Sequence, residues 1–422
     1  MSDVSEVRRY FLRFGSFSRN AKLYLLAGTL QGLGNGIWGV IFYLYLNLHE
    51  IGFQPDFIGN MSTANLIATG LIALPAGLLC ERIGTKAAIV ISQISILTTI
   101  AQIVVLQPFA LLLASLLTGL IGTIGWVASA PFLMENSQRE ERTLLFSVGW
   151  TIMMIMGVIG SLAGGVIPDL VNAAMRLPTG AEIGSAMGYR ITLAIAASLF
   201  VIAVAPLLLI RRDRESSQKQ KVTALLSLQN ITKPSTIIKF MIPTGIIGFG
   251  AGFIVPLFSI FFKRKFLATS EQVGMIFALG NITLAIGTLA APRLADKLGK
   301  VKSVVICQFL SMPFIMLVTL SPNLTSATGA FLMRGALMNM AGPINSTLQM
   351  EMVSENERAT TSGLMVMSDN IPRSFTATLS GVMYTLNDFT TPFLFTTFTY
   401  FCASSLYLTF FRNAEKQKEQ AV

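Results

Sequence analysis

Charge is scarce in this chain of 422 residues. Asp, Glu, Lys and Arg make up 12% of it, where an ordinary soluble domain carries about 25%. The hydrophobic fraction is 53% and mean hydropathy is +0.65, so a water-soluble fold would have to expose large apolar patches. The solvent that suits such a chain is a lipid bilayer. Histidine is nearly absent: the single one, His49, cannot build a histidine-rich metal centre. A membrane-embedded enzyme would need His, Asp or Cys clustered near one interface. The three cysteines, Cys80, Cys307 and Cys402, lie in or beside apolar runs without a C-x-x-C pair, which reads as packing and not as disulfide or metal chemistry. The string GLGNG at 32–36 lacks a preceding strand and the fingerprint spacing of a nucleotide loop. With no soluble domain of useful size, ATP is excluded as the direct energy source, and no cofactor is expected. The net charge of +10 comes from basic residues that flank apolar runs, not from a patch interleaved with aromatics, so no nucleic-acid partner is expected.

What the chain has in excess is long apolar runs. A helix crosses about 30 Å of hydrocarbon in about 20 residues. Twelve runs of that size fall at 22–48, 57–80, 87–107, 109–133, 144–168, 189–210, 236–262, 271–292, 301–321, 325–350, 360–385 and 390–411. Spanning strands would be about ten residues long and alternating, so the pattern argues for helix throughout. Arg8, Arg9, Arg13 and Arg19 precede a first run too long for a signal-peptide core. An even number of spans puts both ends on one side. With the N-terminus inside, the inner segments hold 24 of the 31 Lys and Arg residues and the outer ones five, which predicts cytoplasmic termini in the cell membrane. The polar stretch 211–235 divides six spans from six. The expected organisation is a cytoplasmic N-terminus at 1–21, a six-helix bundle at 22–210, a cytoplasmic loop at 211–235, a second six-helix bundle at 236–411 and a cytoplasmic C-terminus at 412–422.

The second bundle echoes the first. Residues 58–84 align without gaps on 273–299 at an offset of 215, placing Gly59 on Gly274, Leu79 on Leu294, Glu81 on Asp296, Arg82 on Lys297 and Gly84 on Gly299. MENSQREER at 134–142 meets MEMVSENER at 350–358 at an offset of 216, placing Glu135 on Glu351, Glu141 on Glu357 and Arg142 on Arg358. Two echoes at nearly one offset, both at inner turns, mark a tandem duplication with parallel halves. The first motif, GLLCERIGTK from Gly77 to Lys86, and its copy PRLADKLGK from Pro292 to Lys300 resemble the G-x-L-(A/S)-D-R-x-G-(R/K)-(R/K) signature of the major facilitator superfamily. Glu81 stands for the usual Asp, Cys80 for Ala or Ser and Thr85 for a base. The resemblance implies an all-α membrane protein of twelve transmembrane helices in two six-helix bundles, working as a secondary transporter by alternating access. GVIGSLAGG at 157–165 is similar to the glycine motif of drug–proton antiporters, with Ser161 where proline is expected. The arginine that many such antiporters carry in span four is absent, and both departures count against multidrug export.

The resemblance further implies a cytoplasmic gate that locks in one state and parts in the next. Arg82 would pair with Glu135, and Lys297 or Arg293 with Glu351, beside the motif acids Glu81 and Asp296. The E-x6-R spacing of Glu135–Arg142 and Glu351–Arg358 sets an acid and a base around each corresponding turn.

Within the membrane, ionisable groups are costly and usually functional. Arg334 lies about nine residues inside its span's outer end and Asp369 about nine from its span's inner end, so at 1.5 Å per residue both reach the midplane. Arg373 follows Asp369 by four and shares its helix face, with Pro372 between them able to open the backbone. In one reading Asp369 neutralises one arginine while the other binds an anion. In another Asp369 is the proton-coupling group. A third is a closed structural pair. The first half offers Gln31, Asn35, Trp38 and Tyr43 on span one, Asn65 on span two and Trp126 on span four. Gln31, Asn35 and Trp38 share a face that suits hydrogen bonding and stacking of a solute. The glycines at 28, 32, 34, 36 and 39 predict close helix approach, and those at 157–165 a packing seam between spans five and eight. The function expected is secondary transport of a small polar or anionic organic solute, probed against proton-coupled efflux of lipophilic compounds. The expected partners are the solute, protons and the bilayer, and the chain is expected to work as a monomer.

Overall fold

The computed structural model describes residues 17–138, 141–178, 185–211, 234–354 and 357–412. Most of the expected termini and central loop therefore lie outside the described residues. Among those described the chain is helical, without strands. The helices are α1 (Arg19–Leu46), α2 (Pro55–Ile83), α3 (Thr85–Ser92), α4 (Ser95–Val104), α5 (Pro108–Glu135), α6 (Arg142–Ala174), α7 (Ala186–Leu208), α8 (Pro234–Gly252), α9 (Phe258–Phe266), α10 (Ser270–Leu298), α11 (Lys300–Leu320), α12 (Leu324–Met352), α13 (Arg358–Thr385) and α14 (Thr391–Phe411). With α3 and α4 counted together, 10 helices are long and apolar enough to cross a membrane. Helices α12 and α13, of 29 and 28 residues, have the length but carry more polar side chains. The expected spans at 325–350 and 360–385 fall on these two helices.

Local chemistry sets the boundaries. Pro55 and Pro108 open α2 and α5, where a missing N–H costs nothing. Gly84 and Gly299 take φ of 87° and 81° and cap α2 and α10 through their N–H groups to the Cys80 and Ala295 carbonyls. These are the two charged turns of the repeat, and they share one geometry.

Two expected spans are broken. The run 87–107 divides at Gln93 and Ile94. There the Ser92 hydroxyl and the Gln93 amide both donate to the Ile89 carbonyl, at 2.7 and 3.0 Å, and Ser95 donates to Ser92, competing with the helix ladder. The run 236–262 divides between Gly252 and Phe258, at Pro256. Its carbonyls find other partners: Phe249 accepts from Thr376, Gly250 from Thr396 and Phe253 from Ser380. That satisfies the rule that irregular backbone at membrane depth must be hydrogen-bonded by protein. By contrast, α13 runs unbroken through Pro372, so the expected opening there does not occur.

The seam between the halves is built from small residues. Helix α2 lies along α13 and α6 along α10. A Cβ on Gly59 would sit 2.6 Å from the Ala377 carbonyl oxygen, and one on Gly165 2.8 Å from that of Ser270. The expected span-five seam is shared: Gly165 faces α10, but Gly160 and Gly164 pack on α1 at Leu33 and Ile37. On α1 itself, Gly32, Gly34 and Gly36 meet neighbours, whereas Gly28 and Gly39 face open space.

The apolar cores are distributed unevenly. At the end of the bundle away from the termini, one cluster joins the halves, running from Val40, Tyr45 and Tyr189 to Phe261, Tyr384 and Phe393. At the end that carries the termini the cores are separate. Ala27, Cys80, Phe132 and Leu207 belong to the first half alone, and Phe240, Val304, Leu348 and Phe411 to the second alone.

Candidate functional site

Parting of the halves at the terminal end leaves a cleft of about 1930 Å³. Its mouth is charged, with Arg82, Lys86, Glu135 and Arg211, and it reaches inward to Gln31, Asn35 and Trp38. Ser362, Gly363 and Val366 of α13 form part of the facing wall.

Four of the six expected first-half residues line this cleft: Gln31, Asn35, Trp38 and Trp126, whereas Asn65 donates to the Ser115 carbonyl at 3.1 Å within the first half. Gln31 donates to the Gln93 side chain at 2.9 Å. Asn35 is exposed to the cleft, and among the described residues its amide has no partner. Trp38 stacks on Phe42 at a centroid distance of 4.4 Å. Tyr43 is not in the wall: its hydroxyl is held by Ser62 at 2.8 Å.

On α13 the wall residues Ser362 and Val366 are spaced i and i+4, and Asp369 and Arg373 continue that face at i+7 and i+11. One Arg373 nitrogen donates to both Asp369 oxygens, at 2.8 and 2.7 Å, and the Arg373 and Asp369 side chains are 21% and 28% exposed. Arg334 goes elsewhere. It is 7% exposed and turns into the second half's own interior. There its guanidinium carbon sits 5.5 Å above the Phe258 ring and one nitrogen reaches the Tyr400 hydroxyl at 3.4 Å. Its Nε is buried without a hydrogen-bond partner. The three midplane charges are therefore one closed pair and one cation held by aromatic groups.

The repeated turns have an ordered chemistry that differs from the expected pairing. Glu135 accepts from the Thr85 hydroxyl, and Glu351 pairs with Lys300. Thr85 and Lys300 are the same position of the repeat, just after the turn glycine, so the acid meets the residue that opens the following helix. It does not meet Arg82, Arg293 or Lys297. Arg142 likewise does not pair with Glu135 across the E-x6-R spacing, and Arg358 shares its carbonyl contact. Each reaches back eight residues to a carbonyl of the last helical turn, Met134 at 3.3 Å and Met350 at 3.1 Å, where a cation suits the helix C-terminus. Glu141 and Glu357 accept from the Gln138 and Ser354 N–H groups, closing the same turn in both copies. Arg82, Arg293, Asp296 and Lys297 are exposed. The Glu81 side chain lies outside the described residues. Lys300→Thr would give the second half the first half's arrangement. With both partners about a third exposed, it is expected to cost less than about 1 kcal/mol and to remove part of the salt dependence of thermal unfolding. A loss above about 2 kcal/mol would show that the pair does more than close a turn.

Sequence reasoning missed Gln93, which buttresses Gln31, and Trp150, whose ring lies 6.3 Å from that of Trp126. Trp150 lies eight residues into α6 from Arg142, at about the depth of Trp126, so its helical position was the available signal.

By sequence, no curated protein matches the chain. In structure it is similar to the nucleoside transporter NupG, with a TM-score of 0.74 at 14% identity over 93% of this chain and 99% of that one. It is also similar to a bacterial homologue of the human lysosomal transporter Spinster (TM-score 0.69, 14% identity, 92% and 95% covered). A D-xylose–proton symporter matches with a TM-score of 0.70 at 13% identity over 92% and 96%. These likenesses establish the fold. The Major Facilitator Superfamily profile matches residues 24–243 and 240–422. A helical body with ten candidate spans among its described residues, which carries the signature turn in both halves and is matched by that profile over nearly its whole length, belongs to the major facilitator superfamily of membrane transporters.

Proposed function

We propose that the protein is a secondary active transporter that carries a small polar or anionic organic solute through the cleft by alternating access, with Asp369 as the proton-coupling group. The Lys and Arg asymmetry favours the terminal end as the cytoplasmic one, which makes the described state open to the cytoplasm. The observation that carries the reading is the composition of the cleft: free and buttressed amides at Asn35 and Gln31, tryptophan faces, and a wall on α13 that continues to the Asp369–Arg373 pair. Protonation of Asp369 would release Arg373 towards an anionic group on the solute, linking the two events through one ion pair. In this state Arg334 is buried away from the cleft, so Arg373 is the cation a solute meets. The exposed motif charges Arg82, Arg293, Asp296 and Lys297 fit a gate that has parted and re-forms when this end closes.

The test is accumulation of labelled metabolites in proteoliposomes under an imposed proton gradient, paired with thermal-shift screening. Gradient-driven accumulation of polar or anionic solutes, lost in Arg373→Ala, is the expected result. Stabilisation by uncharged lipophilic compounds alone, equal in the variant, would overturn it in favour of drug efflux.

A further inference from the structure

The chain has three tryptophans, and Trp38, Trp126 and Trp150 all line the cleft. Their place in the cleft wall argues against the usual reason for tryptophan in a membrane protein. Interfacial belts sit at the ends of spans, level with the headgroups. Trp126 is nine residues from the end of α5 at Glu135, Trp150 eight from the start of α6 at Arg142, and Trp38 eight from the end of α1 at Leu46. At 1.5 Å per residue each lies about 12–14 Å inside its helix end. Core packing is not the reason either, since Trp126 and Trp150 are 59% and 50% exposed.

The two rings stand 6.3 Å apart at 55° to each other. That spacing is too small for a third ring to slide between them, so they form one V-shaped aromatic surface with open faces. Trp38 has Phe42 against one face. The polar groups of the same cleft are amides: Gln31, fixed by Gln93, and Asn35, exposed and without a partner among the described residues. Open π-faces in the same cleft as amide donors and acceptors match a planar ring with hydrogen-bonding groups on its edge. A saturated solute of equal size gains the hydrogen bonds but no stacking.

We infer that the solute carries a planar aromatic or heteroaromatic ring, which stacks on Trp126 and Trp150, and that Trp150 is a specificity-determining residue. This rests on the transport reading for its setting in a carrier, but the binding claim stands on the cleft itself.

Matched probes test it: benzoate against cyclohexanecarboxylate, and a purine nucleoside against free ribose. Binding is read on the full-length protein in detergent by thermal shift. It is read independently by quenching of intrinsic fluorescence, which reports cleft occupancy because every tryptophan of the chain lines the cleft. At least one aromatic member is expected to bind at least about ten-fold more tightly than its saturated partner. Trp150→Ala should weaken that binding about ten-fold, while Trp150→Phe retains most of it. An unchanged melting temperature of the unliganded variants separates this loss from misfolding. Equal binding of saturated and aromatic partners, no binding by either aromatic probe, or wild-type affinity in Trp150→Ala would each overturn the inference. Accumulation of a saturated polar solute in proteoliposomes, indifferent to both substitutions, would leave the transport reading standing and this one refuted. Tight ring binding without any gradient-driven accumulation would do the reverse.

Discussion

Gly165→Leu is expected to cut transport by about 100-fold while leaving folded, membrane-inserted protein. The added Cβ alone would sit 2.8 Å from the Ser270 carbonyl oxygen and 3.0 Å from the Gly274 Cα, and the rest of the side chain has no space to enter. Overpacking of this kind costs about 1–3 kcal/mol, which is about a 5- to 150-fold shift in an equilibrium. The strain falls between the halves, on the contact between α6 and α10, so it acts on how they close and not on whether each folds. Gly160→Leu is the control. Its Cβ meets the Leu33 carbonyl oxygen at 2.2 Å, within the first half, and it should lose folded protein. Flux in proteoliposomes together with yield of monodisperse protein separates the two outcomes. Normal flux in Gly165→Leu would show that the seam yields without consequence. Equal loss of fold in both variants would show that the halves do not fold as separate units.

Asp369→Asn is expected to abolish gradient-driven accumulation and to destabilise the protein. Removing one member of a buried ion pair costs about 3–5 kcal/mol, because the other charge is left uncompensated. At 28% and 21% exposure the pair is partly wetted, so the low end applies. The double variant Asp369→Leu, Arg373→Met removes both charges and should recover most of the melting temperature, since an apolar replacement of a buried pair is often neutral. Transport should stay lost. If the single variant still accumulates solute against a gradient, the coupling group lies elsewhere. If the double variant regains both stability and transport, the pair is purely structural.

The spans were legible because bilayer thickness fixes their length and because most residues in them are apolar. The two charged turns were legible as a repeat, and the structure shows why the repeat is kept in such detail. The glycine, the residue after it, the acid, and the Glu-Arg pair at the next helix start each close a hydrogen bond that recurs in both halves. Which residues bond was not legible. A spacing such as E-x6-R identifies charges that share a turn, but the Arg142 side chain found a helix-end carbonyl before it found Glu135. The break before Phe258 was equally hidden. A proline inside an apolar run is tolerated in a membrane helix, and whether the chain kinks or breaks was decided by hydroxyls at Thr376, Ser380 and Thr396 on helices more than a hundred residues away. Arg334 shows the same limit for side chains. Its depth followed from counting, but its direction depends on how α12 is rotated against its neighbours, and that is set by packing around Phe258 and Tyr400.

The lopsided distribution of the apolar cores carries a kinetic consequence. Amide deuteration should run at two rates along a single helix. Amides of α1 near Tyr45 and of α13 near Tyr384 sit in a core built from both halves, so exposing them requires both to come apart. Amides of the same helices near Leu25 and Met365 sit in cores owned by one half, and smaller local openings release them. The protein thus holds together like a hinge pinned at one end, with its slowest-exchanging backbone marking the pin.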